Sequence, residues 1–111
     1  MLKAVIRLLL LLLWVPLAAA LLWVLKKAHK TSAFERVRAF GFQVMLWIVG
    51  VRVRVEGEVA QQRPLLMVSN HVSYLDVLVL GSKTPVRFTP KSDVAGWPVI
   101  GGICRLLNCV F

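Results

Sequence analysis

The chain has 111 residues, 59% of them hydrophobic, with a mean hydropathy of +0.76 and a formal net charge of +9. That length allows one small domain, and an apolar fraction well above the ~45–50% of ordinary soluble domains excludes a freely soluble globule. The excess of Lys and Arg invites a nucleic-acid partner. These residues flank apolar segments instead of clustering on a polar face, so anionic lipid headgroups fit better and no nucleic acid is expected.

In chain order, Leu8 to Leu25 is an uncharged, almost wholly apolar run. As a helix it is roughly 27 Å long at ~1.5 Å per residue, enough to cross a hydrocarbon core of ~30 Å. Pro16 in its middle is tolerated in a membrane helix and predicts a kink, not an end. A secretory signal peptide is the competing reading, with Lys3 and Arg7 as its basic start and Ala18-Ala19-Ala20 as a cleavage site. Leu21 to Leu25 carry the apolar run past that cut and end in Lys26-Lys27, which favours an uncleaved anchor. Lys26, Lys27, Lys30, Arg36 and Arg38 outnumber Lys3 and Arg7, so the side after the anchor is expected in the cytoplasm.

Ser32-Ala33-Phe34-Glu35 has the form of a capping box and predicts a second helix over about 33–49, closed by Gly50. Its expected apolar stripe is Phe34, Val37, Gly41, Val44 and Ile48, interrupted elsewhere by Glu35, Arg36, Arg38 and Gln43. The segment fits either a helix in the membrane interface or an ordinary core helix. Residues 1–50 are thus read as membrane-anchoring helices and 51–111 as part of a separate domain. There, Val51-Arg52-Val53-Arg54-Val55 alternates as a half-exposed strand does. Further strands are expected at 65–69 and 86–89, and helices at 76–81 and 97–107, the last with Pro98 in its first turn. Strands alternating with helices predict an α/β fold. Cys104 and Cys109, without a second ligand pair, are expected to be packing residues and not a metal or disulfide site.

The chemistry concentrates in Leu65-Leu66-Met67-Val68-Ser69-Asn70-His71-Val72-Ser73-Tyr74-Leu75-Asp76. An apolar strand delivers Asn70 and His71 at its end, and Asp76 follows five positions after the histidine. A histidine acts as a general base near neutral pH when a neighbour fixes its tautomer and stabilises its charged form, which a carboxylate does. A spacing of five does not stack side chains on one helical face, so a turn is needed, with Asp76 in the first turn of a following helix. Ionisable groups at the carboxyl end of a buried strand are where α/β folds hold their chemistry. A solvated loop histidine is the competing reading of the spacing alone.

Asn70-His71-Val72-Ser73-Tyr74-Leu75-Asp76 resembles the His-(four residues)-Asp motif of the lysophospholipid acyltransferase family, the bacterial 1-acylglycerol-3-phosphate acyltransferases. Phe88-Thr89-Pro90-Lys91 and Trp97-Pro98-Val99-Ile100-Gly101-Gly102 resemble the family's Lys-bearing strand end and the helix after it. Asn108-Cys109-Val110-Phe111 is similar to the start of the next family strand, and the Ile-Asp-Arg and Glu-Gly-Thr-Arg segments that would follow are not in this sequence. The resemblance implies a helix pair followed by the first strands and helices of an acyltransferase-type α/β domain, cut short, with little activity expected from this chain alone.

The resemblance also implies a reaction. His71 would remove the proton from a lysolipid hydroxyl as it attacks an acyl thioester, and Asp76 would hold the imidazole. Asn70 and Ser73 would brace the turn, and Lys91 would meet a substrate phosphate as a point charge. The donor is expected to be acyl-CoA or acyl-carrier protein, the acceptor lysophosphatidate or another lysolipid such as lyso-ornithine lipid, and membrane lipids the surroundings. No cofactor or metal is expected. A small non-catalytic membrane protein, with His71 and Asp76 incidental, is the alternative from a different class.

Overall fold

A computed structural model of the chain describes residues 1–69, 73, 75–84 and 86–111. Two long helices dominate it: α1, Leu2–Lys27, and α2, Thr31–Val49. α1 is long and apolar enough to cross a membrane, and little of its apolar stretch is buried. Leu9, Leu12, Leu13 and Leu17 stand bare, which distinguishes it from the core helix of a soluble protein. It runs without interruption through Pro16.

The two helices form an antiparallel hairpin. The Trp14 indole N–H donates to the Gly41 carbonyl at 3.2 Å, and its ring meets Phe40 edge-on at 6.1 Å. A Cβ on Gly41 would stand 3.9 Å from Ala18 Cβ, so two small residues mark where the helices approach closely. At the far end of the hairpin the Arg7 guanidinium lies against Gly50. Each helix stops on a left-handed residue. α1 ends with His29 at φ 55°, where His29 N–H donates to Lys26 O and Lys30 N–H to Leu25 O. α2 ends with Gly50 at φ 84°, where Gly50 N–H donates to Trp47 O and Val51 N–H to Leu46 O. Both are Schellman stops, which satisfy carbonyls that a helix end otherwise leaves without donors. At Gly50 this stop is the one the sequence suggests. At His29 a non-glycine residue adopts the conformation.

Three expectations for α2 need correction. The helix begins at Thr31 with Lys30 at its N-cap and no side-chain cap bond, so Ser32 and Glu35 do not form a capping box. Glu35 instead pairs with Arg38 at 2.8 Å. The buried stripe is Phe34, Arg38, Gly41, Phe42, Leu46 and Ile48, turned relative to the expected one and including an arginine. Phe34, Arg38 and Phe42 are spaced by four and share a helical face, which is why the charge travels inward with the aromatics.

That face receives α3, Leu75–Lys83. Gly81 lies directly under the Phe42 ring, and a Cβ there would collide with it. The sequence suggests Gly81 as the end of this helix, but the glycine is interior and serves close packing. The polar groups of α2 then close the carboxyl end of α3. Gln43 Nε2 donates to Ser82 O at 3.0 Å, and the buried Arg38 donates to Thr84 O at 3.3 Å and Val86 O at 2.9 Å. Ser82 Oγ and Thr84 Oγ1 donate back to Val79 O and Leu80 O. A cation at a helix carboxyl end also opposes the helix dipole.

A 3-10 helix, Ser92–Gly96, and α4, Ile100–Leu106, complete the described residues. α4 starts three residues later than expected, after Val99 at φ 65°, so Pro98 precedes the helix. Gly101 packs against the Ala95 carbonyl, which also accepts from Arg105 Nη1 at 2.9 Å. The carboxyl end of α4 rests on α1: Lys26 Nζ donates to Arg105 O at 2.9 Å and Leu106 O at 3.3 Å.

The expected α/β sheet is not present among the described residues, where no β-strand is assigned. Residues 51–55 keep part of the alternation, with Val51 and Val53 half-buried and Arg52 and Arg54 exposed, but they form no strand among the described residues. Leu66 and Val68 are almost fully exposed. A strand is stabilised by a partner ladder and a covering layer, and sequence alternation supplies neither by itself. One ladder-like bond does form, from Val110 N–H to Phe88 O at 2.9 Å, joining the expected 86–89 strand to the last residues.

Candidate functional site

The amino end of α3 carries the motif residues that the structure describes. Ser73 Oγ accepts from Leu75 N–H at 3.1 Å, and Asp76 Oδ2 accepts from Ser73 N–H at 3.1 Å. Asp76 N–H donates to Ser73 O at 3.2 Å, closing the turn. Asp76 satisfies the Ser73 backbone N–H, the return half of the capping box that the sequence suggests at residues 32–35, while Ser73 Oγ caps Leu75 N–H. The physical effect is to fix the carboxylate at the first turn of a helix, where negative charge meets the positive end of the dipole. Asp76 is half-buried and Ser73 exposed. The Ser73 hydroxyl thus caps the start of α3, and its backbone N–H is the group that holds Asp76. His71 and Asn70, the expected base and its brace, lie outside the described residues.

Lys91 is exposed at the N-cap of the 3-10 helix Ser92–Gly96, with no side-chain cap bond to that helix. It follows the segment anchored at Val86 by Arg38 and at Phe88 by Val110. Arg38 thus ties α2 to the chain leading to Lys91, a role invisible to a reading that sets charged residues on the solvent side of a helix. The available signal was its register, four residues from Phe34 and four from Phe42.

The cysteines are free and half-buried. Asn108 at φ 60° is the left-handed stop of α4, with Asn108 N–H donating to Arg105 O and Cys109 N–H to Cys104 O. Cys104 and Cys109 occupy the two positions that touch across such a motif. Burial and the adjacent Cys104 raise the Cys109 thiol from 9.0 to about 11, so it is neutral near pH 7.

Comparison with known proteins gives this geometry its setting. The profile of the family described as Acyltransferase matches residues 51–111, more than half of the chain. The chain belongs to the acyltransferase family. The match begins directly after Gly50, the stop of α2, and contains the Ser73–Asp76 cap. This acyltransferase-family chain is 49% identical over 69 residues to a lyso-ornithine lipid O-acyltransferase of Rhizobium meliloti, a match covering 62% of this chain and 24% of that protein. It is 38% identical over 77 residues to a protein of the same description from Brucella abortus, covering 69% and 29%. A 1-acyl-sn-glycerol-3-phosphate acyltransferase of Neisseria gonorrhoeae is 33% identical over 57 residues, covering 50% and 22%. The chain matches about a quarter of the length of these relatives. No solved structure matches it significantly.

Proposed function

We propose that this chain carries the His-Asp half of a lysolipid O-acyltransferase site, with His71 as general base and Asp76 as the residue that orients it. The carrying observation is the capped turn in which Ser73 N–H and Asp76 Oδ2 meet at 3.1 Å. A carboxylate fixed five positions after a histidine can receive an imidazole N–H and stabilise the imidazolium formed when the other ring nitrogen accepts the acceptor hydroxyl's proton. The oxygen of the acceptor attacks the carbonyl carbon of a thioester donor, acyl-CoA or acyl-carrier protein, and the thiolate leaves and takes up a proton. Lys91 is read as a charge for an acidic headgroup. The segment at 86–89 is read as a strand of an α/β sheet, a reading the Phe88–Val110 bond supports, and 51–55 and 65–69 are read as further strands on their sequence pattern alone.

Two acceptors fit. Lyso-ornithine lipid is favoured by the 49% identity to a protein so described, and lysophosphatidate by the 33% relative. Both ends of α1 touch the rest of the chain, Arg7 beside Gly50 and Lys26 on the carbonyls of α4. A helix crossing a bilayer end to end would separate those contacts, so the hairpin is read as lying in one leaflet, with residues 51–111 on the cytoplasmic surface. The test is transfer of a labelled acyl chain in membranes expressing the native gene, with each lysolipid offered in turn. Loss of ~10²–10⁴-fold on His71→Ala, with Asp76→Asn following it, is the expected result. Full activity in His71→Ala refutes the mechanism.

A further inference from the structure

At the elbow between α1 and α2 lies a cavity of about 220 Å³ whose polar lining includes Lys26, His29, Lys30, Glu35, Arg87 and Asn108. The space is open to solvent on one side and has room for a tetrahedral oxyanion with part of its hydration. Its charge balance is positive. Glu35 is neutralised by Arg38 at 2.8 Å, which leaves Lys26, Lys30 and Arg87 uncompensated among the ionised lining groups. Lys26 is also held in place by the carbonyls of Arg105 and Leu106, so one of the three cations is positioned.

The cavity exists because of the backbone. His29 at φ 55° reverses the chain within a few residues, bringing Lys30 to the N-cap of α2 with no side chain of its own helix capping it. The same elbow meets Arg87 and Asn108 from the far end of the sequence. Its position gives the source of the anion. The apolar run of α1 ends here, with Trp23 exposed and the Lys27 ammonium 5.7 Å from its ring centre, a pairing suited to the headgroup level of a bilayer.

We infer that the elbow cavity binds the phosphate of an anionic membrane phospholipid, with Lys30 and Arg87 as its direct ligands and Lys26 as a fixed third charge. The site is separate from the capped turn at Asp76. α3 runs against α2, with Thr84 at Arg38 and Gly81 at Phe42, which places the amino end of α3 toward the opposite end of the hairpin. The bound lipid docks the chain and does not depend on acyl transfer.

The test is native mass spectrometry of the full chain released from nanodiscs of phosphatidylglycerol or phosphatidylcholine, with inorganic phosphate as a third probe. The wild type is expected to retain one phosphatidylglycerol and at least tenfold less phosphatidylcholine or inorganic phosphate. Lys30→Gln/Arg87→Gln, checked for unchanged helicity by circular dichroism, is expected to lose retention at least tenfold. The exposed pair Arg52→Gln/Arg54→Gln is expected to leave it intact. Equal loss in both pairs means diffuse attraction and overturns the site. Retention of phosphatidylcholine, or of inorganic phosphate as strongly as the lipid, overturns the assignment to an anionic headgroup. Should the Lys30/Arg87 pair lose helicity, Arg87→Gln alone decides: undiminished retention refutes the inference.

Discussion

Replacing Arg38 with methionine keeps an unbranched apolar stem and removes the guanidinium, together with its place 6.0 Å over the Phe42 ring. The side chain is 3% exposed, and its donors reach Val86 O at 2.9 Å, Thr84 O at 3.3 Å and Glu35 at 2.8 Å. A hydrogen bond from a charged donor contributes ~1.5–3 kcal/mol, and a buried carbonyl left without a donor costs ~1–3 kcal/mol. The Thr84 bond is long and counts as a fraction of one. The Glu35 side chain is 38% exposed, so water screens that ion pair and its share is small. The sum is about 3 kcal/mol, or about 100-fold in the population of an opened α2–α3 contact. Lys83 and Arg87 bracket the clamped segment and are trypsin sites, so the assay is the rate of tryptic cleavage there in membrane-bound protein. Arg38→Met is expected to be cut about 100-fold faster under conditions where opening is rapid. Arg38→Lys should recover little, since an ammonium cannot fork to two carbonyls and a carboxylate. Glu35→Gln should change the rate less than about fivefold, the effect of under 1 kcal/mol. Cleavage of Arg38→Met within threefold of the wild type refutes the clamp.

Gly81→Ala drives a methyl group into the Phe42 ring and is expected to destabilise the chain by ~1–3 kcal/mol, read from the denaturation midpoint, with Phe42→Leu relieving the clash. Ser73→Ala removes the acceptor for Leu75 N–H and is expected to cost ~0.5–2 kcal/mol of local stability at the start of α3, read by amide hydrogen exchange at Leu75, while leaving the backbone bond to Asp76. Trp14→Phe keeps a smaller aromatic ring and loses the 3.2 Å bond to Gly41 O, so a loss of at least ~0.5–1.5 kcal/mol in hairpin stability is expected. Cys109, raised from 9.0 to about 11, should react with a maleimide about 100-fold more slowly at pH 8 than an unperturbed thiol, and the two should converge above pH 11. Because its folded value is the higher one, its contribution to stability is complete below pH 9 and fades as pH rises towards 11. Unchanged stability from pH 8 to 11.5 would contradict the burial argument.

Several features of this protein follow from local sequence because they depend on composition and near neighbours. An apolar run as long as Leu8–Leu25 has no stable alternative to a helix in lipid, since every backbone group must be satisfied within it. Gly50 stops α2 because a left-handed residue without a Cβ costs little there. The His71-to-Asp76 spacing calls for a turn leading into a helix, and the family match at residues 51–111 spans it. Other features were decided by contacts far apart in the chain. Arg38 is buried because Thr84 and Val86 offer carbonyls and Glu35 a carboxylate, and Gly81 is interior because Phe42 lies over it. An acidic side chain returns to an N-cap N–H at Ser73–Asp76 and not at Ser32–Glu35, where the glutamate pairs with Arg38. Residues 51–55 and 65–69 alternate or cluster as strands do, yet form no strand among the described residues, because a strand takes its stability from a neighbour that its own sequence does not contain.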